Sequence, residues 1–221
     1  MLYLDIHTHQ PTPKQHVQSI LSLSLTDDNL YPLTCSTSVS VGLHPWFARL
    51  EKLEIQIKNL KNKARQPNVK MIGECGLDKL RGENLEKQVV ILERQIELAE
   101  ELKKPIILHC VKSFAELIEI KERLNVKVPM IIHGFNKNGE LGKQLLAKGF
   151  LLSFGTSILR PDSAAAKLIQ ETDNFFLETD DSVTPIEEIY LAAANLKKCS
   201  VDELKARIFT DWKKLNLTPN P

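Results

Sequence analysis

Short apolar runs alternate with helical patterns along almost the whole of this 221-residue chain. Eight of these runs have the length and the apolar content of buried strands, and they cover Leu2–Ile6, Val17–Leu25, Cys35–Val41, Val69–Glu74, Pro105–His109, Val128–His133, Gly149–Ser153 and Phe175–Glu178. This alternation predicts an α/β fold, a (β/α)8 TIM barrel, built by a single domain of residues 1–221. A doubly wound open sheet is the alternative, but the first strand is not followed by a Gly-rich phosphate loop.

Helical patterns follow most of the predicted strands. They cover roughly Pro45–Arg65, Glu83–Lys103, Ser113–Leu124, Asn138–Ala147, Pro161–Gln170, Ile186–Leu196 and Val201–Leu215. We expect Pro161 just inside its helix, where its missing N–H has no cost, and a capping box between Ser200 and Glu203. Between the second and third strands, "TDDNLYPLT" is too short for a helix, so we expect a trimmed crossover and a somewhat distorted barrel there.

Charge and cysteine content restrict the class of protein. The chain has 29 Lys and Arg against 28 Asp and Glu, a net charge of +1, so no overall basic field indicates nucleic acid. Its start lacks the pattern of a signal peptide, and no apolar run is long enough to span a membrane. The four cysteines are widely spaced without a CxxC pair, which argues against a disulfide framework or a zinc ribbon. We expect a cytoplasmic protein without membrane contact or an evident obligate protein partner.

The motif "DIHTH" places His7 and His9 directly after the first predicted strand. Because side chains on a strand alternate, Asp5, His7 and His9 are expected to point the same way. Two converging imidazoles suit a divalent metal ion. A lone HxH pair is also found as a solvated strand end, so this motif needs further ligands before it indicates a metal.

Further ligand types follow four other strands. Histidine or carboxylate side chains end these runs at Glu74, His109, His133, Glu178 and Asp180. In a barrel the carboxyl ends of the strands meet at the face where active sites form. Burying so many unpartnered polar groups together is costly unless a metal compensates them. The candidate ligands number six, which exceeds the need of one tetrahedral zinc: His7, His9, Glu74, His109, His133 and Asp180. We therefore expect two divalent ions with a bridging carboxylate, an arrangement suited to hydrolysis.

Seven motifs, in this order, resemble those of TatD-related metal-dependent hydrolases, which are deoxyribonucleases of the amidohydrolase-like superfamily with a TIM-barrel fold. They are "DIHTH", "VGLHPW", "IGECGLD", "PIILHC", "IIHGF", "GFLLSFGTSI" and "FFLETD". The similarity extends to about Asp181, with a weaker likeness in "SVDELKARIFTDWKKL".

The resemblance implies the roles of the site residues. His7, His9 and Asp180 would hold one metal ion, His109 and His133 the other, and Glu74 would bridge them. Asp180 would also be the general base, so that Asp180 and Glu74 are the predicted catalytic residues.

Three further residues have implied supporting roles. His44 would contact a phosphate or leaving group at the pocket rim; the alternative is a loop histidine before a helix-starting proline. Asp5 and Glu178 would orient ligands, as groups behind metal ligands commonly do.

Several positions depart from the family pattern, and all bear on the substrate. Val111 stands where the family usually has an arginine; Lys112 follows and could attract a phosphate, but only as a point charge. Lys79 and Asp211 replace a common tyrosine and a common asparagine, and "DSVTP" replaces a serine-proline segment. These changes leave the predicted metal ligands intact.

Three functions are compatible with these residues. The first is a metal-dependent deoxyribonuclease that hydrolyses DNA phosphodiester bonds from strand ends through a metal-activated water. The second is a hydrolase of an amide or ester bond in a small molecule or aminoacyl substrate, which the missing arginine favours. The third is a metal-bound scaffold without activity, which would have no evident reason to keep an intact set of ligands with an open coordination position. Zinc, manganese, magnesium and nickel all suit histidine and carboxylate ligands.

Overall fold

Eight strands follow one another in chain order in the sheet of the computed structural model, which describes residues 1–10, 15–25 and 37–217. The pairs β1–β2, β3–β4, β4–β5 and β7–β8 are parallel. Thr8 of β1 also forms a parallel bridge with Asp180, just after β8. The strands are β1 (Tyr3–Thr8), β2 (Val17–Ser24), β3 (Val39–Gly42), β4 (Val69–Asp78), β5 (Ile106–Val111), β6 (Met130–Ile132), β7 (Phe150–Phe154) and β8 (Phe176–Leu177).

Seven α-helices are seen among the described residues. They are α1 (Leu53–Ala64), α2 (Leu85–Leu102), α3 (Phe114–Arg123), α4 (Gly139–Ala147), α5 (Ala164–Glu171), α6 (Ile186–Lys197) and α7 (Val201–Lys214). The capping box of α7 is confirmed, since Ser200 and Glu203 bond to each other's backbone N–H. No helix in the described ranges has the length and apolarity needed to cross a membrane.

Two predicted helix starts are wrong. The helix placed from Pro45 begins only at Leu53, after a short 3-10 turn. The helix placed from Pro161 begins at Ala164, because the Ser163 hydroxyl accepts the backbone N–H of Ala166 at 3.1 Å and so caps the first turn. The predicted trimmed crossover lies outside the described residues.

By its internal contacts the chain divides into two compact units, Met1–Leu21 with Ile132–Pro221, and Ser22–Ile131. In the first unit the buried Tyr190 of α6 fixes β1, because its hydroxyl donates to the Leu4 carbonyl at 3.1 Å and accepts the Leu4 N–H at 3.2 Å. The prediction of one domain stays a prediction.

In the second unit β4 runs four residues beyond Glu74, the predicted end, and finishes at Asp78. Two glycines on either side of Glu74 make this possible. A Cβ at Gly73 would lie 2.3 Å from the Ile107 carbonyl oxygen, and one at Gly76 2.0 Å from that of His109. Both glycines also have a positive φ, of 125° and 146°, which other residues rarely adopt. The glycines of "IGECG" therefore let β4 approach β5 closely around Glu74.

Candidate metal centre

The first unit gathers two predicted ligands around His7. The His7 side chain is fully buried on β1, and its ring centroid lies 4.4 Å from that of His133, which directly follows β6. Asp180 follows β8, and its Oδ1 lies 3.5 Å from His7 Nε2. Donor atoms of His7, His133 and Asp180 all lie within 4.8 Å of one another. These three side chains therefore form a group of the size that one divalent ion needs.

His9 lies at the open side of this group. Its side chain is 36% exposed, and its Nε2 is 3.6 Å from Asp180 Oδ1. Two backbone hydrogen bonds fix the segments: His9 N–H donates to the Asp180 carbonyl at 3.1 Å, and Asp180 N–H donates to the His7 carbonyl at 2.9 Å. Asp180 has φ of 54°, a left-handed conformation that aspartate tolerates better than most residues. The Asp180 carboxylate is thus held between the two histidines of "DIHTH".

Asp5 supports the segment that carries Asp180. Its Oδ1 accepts the Thr179 N–H at 3.0 Å, and its Oδ2 accepts the Thr179 hydroxyl at 2.6 Å. Burial raises the pKa of Asp5 to about 7, although both hydrogen bonds from Thr179 act in the opposite direction. The orienting role predicted for Asp5 is consistent with this geometry.

Glu178 supports His133 in a similar way. Its fully buried side chain accepts the Gly134 N–H at 2.6 Å, and the same Oε1 lies 3.5 Å from His133 Nδ1. A buried carboxylate beside one nitrogen of an imidazole sets the orientation of the ring. Glu178 therefore lies where a group that orients His133 is expected.

The second unit contains a group centred on Glu74. Its Oε1 lies 3.0 Å from His44 Nε2 and 3.0 Å from His109 Nδ1. Donor atoms of these three residues lie within 4.8 Å of one another. The Trp46 backbone N–H donates to His44 Nδ1 at 3.2 Å, so the proton of the neutral ring lies on Nε2 and points at Glu74. His44 is buried here, and its predicted phosphate contact stays a prediction.

Asp78, which the sequence analysis did not single out, contacts a predicted metal ligand. Its Oδ2 lies 3.2 Å from His109 Nε2 and accepts the Trp46 indole N–H at 2.6 Å, while its Oδ1 accepts the Leu80 N–H at 2.8 Å. Burial works in the opposite direction, but these hydrogen bonds and the nearby His109 hold the pKa of Asp78 below its ordinary value. The available signal was the carboxylate that ends "IGECGLD", four residues beyond Glu74.

Two buried glutamines of α2 position the segments that carry His44 and Asp78. Gln95 Oε1 accepts the Leu43 N–H at 2.7 Å, and its Nε2 donates to the Leu43 carbonyl at 3.2 Å. Gln88 makes the same pair of bonds with Asp78, accepting from its N–H at 2.7 Å and donating to its carbonyl at 2.9 Å. Each amide thus binds both the N–H and the carbonyl of one backbone residue.

Lys112 lies apart from these contacts. Its side chain is exposed, and its backbone turns with φ of 55° directly after β5. Lys79, the other lysine at a departure from the family pattern, forms an ion pair with Glu116 at 2.5 Å.

Both groups have the donor chemistry of a divalent metal site. Imidazole nitrogens and carboxylate oxygens are the ligands that zinc, manganese and related ions take in proteins. In the second group, His44, Glu74 and His109 have hydrogen-bonding partners around them, as metal ligands commonly do. The residues therefore fit the metal that their arrangement suggests, without fixing its identity.

The family model described as "TatD related DNase" matches residues 11–210. The chain belongs to the TatD-related DNase family. An uncharacterized metal-dependent hydrolase of Buchnera aphidicola is 29% identical over 80% of this chain and 72% of its own length. The 3'-5' ssDNA/RNA exonuclease TatD of Escherichia fergusonii is 31% identical over 70% of this chain and 63% of its own length.

A solved structure of YjjV, a TatD homolog from Escherichia coli K12, has the same fold with a TM-score of 0.82 at 21% identity, over 98% of both chains. This likeness and the strand order confirm the predicted (β/α)8 barrel. Family membership confirms the resemblance seen in the sequence and the prediction of a TatD-family metal-dependent hydrolase. The roles of individual ligands and the number of ions stay predictions.

Proposed function

We propose that this TatD-family hydrolase is a deoxyribonuclease that hydrolyses phosphodiester bonds from a strand end with two divalent ions. The observation that carries the proposal is the grouping of histidine and carboxylate donors within 4.8 Å of one another, once around His7 and once around Glu74. The name of the TatD relative in E. fergusonii, a 3'-5' ssDNA/RNA exonuclease, supports a nucleic acid substrate. The cytoplasmic location stays a prediction.

The ligand assignment that we propose is the one implied by the family pattern. His7, His9 and Asp180 would hold one ion, His109 and His133 would hold the other, and Glu74 would be shared. His7 and Asp180 lie close enough to share an ion, since their donor atoms are 3.5 Å apart. Glu74 Oε1 and His109 Nδ1, at 3.0 Å, are equally close.

Bound divalent ions would polarise a phosphoryl oxygen and lower the pKa of a water molecule. The chain's own residues then have separate tasks. The Asp180 carboxylate accepts the proton of the attacking water, and the Asp5–Thr179 hydrogen bonds keep this carboxylate in place. His44 Nε2–H donates to Glu74 Oε1, which fixes the direction of that carboxylate.

The direct test is hydrolysis of end-labelled single- and double-stranded oligonucleotides by metal-stripped protein, with manganese, magnesium or zinc added back. We expect cleavage only with added metal, as a ladder that shortens from one end. A His7→Ala, Asp180→Ala double variant is the control for a contaminating nuclease, and it should show no cleavage. If the wild-type protein binds metal and leaves DNA intact, the deoxyribonuclease proposal is wrong.

The second candidate, a hydrolase of amide or ester bonds in a small molecule or aminoacyl substrate, is favoured by one observation. Val111 ends β5 where the family usually supplies an arginine, and the exposed Lys112 beside it lacks the two-pronged geometry of a guanidinium group. Metal-dependent hydrolysis of such substrates by protein that leaves oligonucleotides intact would favour this candidate.

Replacing Asp78 with asparagine is expected to weaken metal binding by about 10- to 100-fold, the usual effect of losing a group behind a metal ligand. We propose that Asp78 Oδ2, 3.2 Å from His109 Nε2, accepts its N–H and so keeps the Nδ1 lone pair for a metal ion. Asparagine keeps the shape but loses the charge that holds this tautomer. The measurement is metal affinity by calorimetry, with circular dichroism as the check on folding. Unchanged affinity would show that Asp78 does not act on His109.

A further inference from the structure

An exposed aromatic ring adjoins the Glu74 group in the second unit. Phe47 is 46% exposed, although most large apolar side chains of its size are buried. Its ring centroid lies 5.6 Å from that of His44, at an interplanar angle of 40°. His44 in turn contacts Glu74 at 3.0 Å, so one side chain separates the Phe47 ring from a predicted metal ligand.

The segment that carries Phe47 is held at several points. The N–H groups of Phe47 and Ala48 both donate to the His44 carbonyl, at 3.1 and 3.0 Å. The indole of the neighbouring Trp46 donates to Asp78 at 2.6 Å, which fixes this ring beside His109. A ring whose position is set in advance loses little entropy when it binds a flat ligand.

A cationic group lies over the neighbouring Trp46 ring. The Arg81 guanidinium lies over the Trp46 ring, 4.4 Å from its centroid, and the Trp46 ring meets Phe47 edge to face at 6.1 Å. Leu80, next to Arg81, is 63% exposed. Trp46 is thus a shared neighbour of an exposed aromatic ring and an arginine, the two residue types that bind single-stranded nucleic acid through base stacking and phosphate attraction.

We propose that Phe47 is a stacking platform for an unpaired nucleobase next to the scissile phosphodiester, and that Arg81 attracts a neighbouring phosphate. The inference rests on the proposed nuclease function and adds the part of the substrate that is recognised. A single-stranded end fits this surface because its bases are free to leave the stack, whereas a base within a duplex is covered on both faces. The Phe47 ring contacts the flat face of a base, which all four bases have, so it favours single strands without selecting a sequence.

The test compares two oligonucleotides as substrates of the wild type and of three variants. One oligonucleotide has normal nucleotides at its cleaved end; the other has an abasic residue at the terminal or penultimate position. We expect wild-type kcat/KM to fall on the order of 5- to 150-fold with the abasic end, the factor for stacking of one base. Phe47→Ala should lose the same factor on the normal end and lose almost nothing further on the abasic end, while Phe47→Trp should restore the preference.

Ile55→Ala is the matched control, since Ile55 is also an exposed apolar residue of this unit, at 55%. It should leave kcat/KM unchanged on both oligonucleotides. An equal loss on both ends by Phe47→Ala would overturn the inference, because it indicates a role in structure only. A changed oligomeric state of Phe47→Ala without loss of base preference would overturn it in favour of an interface between copies. Absence of any DNA cleavage by metal-loaded wild-type protein would instead overturn the proposed function.

Discussion

Glu74→Gln is expected to reduce kcat/KM for DNA hydrolysis by about 10³-fold, which corresponds to about 4 kcal/mol of lost transition-state stabilisation. Glutamine keeps an oxygen that accepts His44 Nε2–H, so the hydrogen bond at 3.0 Å survives. It removes the negative charge that we propose is shared by both ions. Its amide N–H₂ also cannot bind a metal in place of the second carboxylate oxygen. The expected loss is therefore chemical and not a loss of folding.

The measurement combines kcat/KM on an end-labelled oligonucleotide with metal content per chain, over a range of metal concentrations. Glu101→Gln is a suitable control, because Glu101 is an exposed carboxylate of α2 paired with Lys61 and Arg65. Its activity should equal that of the wild type. A Glu74→Gln enzyme with full activity and full metal content would contradict the bridging role.

Asp180→Asn is expected to lower kcat by about 10²- to 10⁴-fold, the usual contribution of a general base. Asparagine tolerates the left-handed backbone at this position, where φ is 54°, so the segment after β8 should keep its backbone conformation. It retains an oxygen near His7 and His9 but cannot accept a proton from water. The fold-decrease in kcat should be larger than the fold-decrease in metal affinity.

Kinetics at matched metal content distinguish the two roles of Asp180. If Asp180 accepts the proton of the attacking water, kcat of Asp180→Asn should stay low even when its metal content equals that of the wild type. Asp181→Asn is the matched control, since Asp181 is the adjacent carboxylate and is exposed. It should keep the wild-type rate. If both variants lose activity equally, the effect is one of local charge and Asp180 is not the base.

Much of this protein was predictable because its strongest signals are local in the chain. Strand and helix positions follow from the spacing of apolar residues over a few positions, and the helix cap at Ser200 is a contact between residues three apart. The start at Pro161 failed for a related reason. Proline permits a helix to begin, but here the side chain that caps the free N–H groups is Ser163, so the helix begins at Ala164.

The ligand types could also be predicted from the sequence, because polar residues rarely interrupt an apolar strand. His7, Glu74, His109 and Asp180 all drew attention in this way, and the structure places each within reach of another predicted ligand in its own unit. Asp78 was missed even though it belongs to the same motif as Glu74. Its role depends on the length of β4, which ends at Asp78 and not at the first polar residue.

The sequence by itself determined the eight-unit α/β fold and the residue types of a metal site, since both depend on patterns within short segments. Only the tertiary structure decided which polar groups meet. The register of β4 against β5 brings Asp78 to His109, and the packing of α2 brings Gln88 to the Asp78 backbone. These contacts join residues 10 and 31 positions apart. Their geometry depends on how close two packed elements approach, and here Gly73 and Gly76 permit that approach because they lack a side chain.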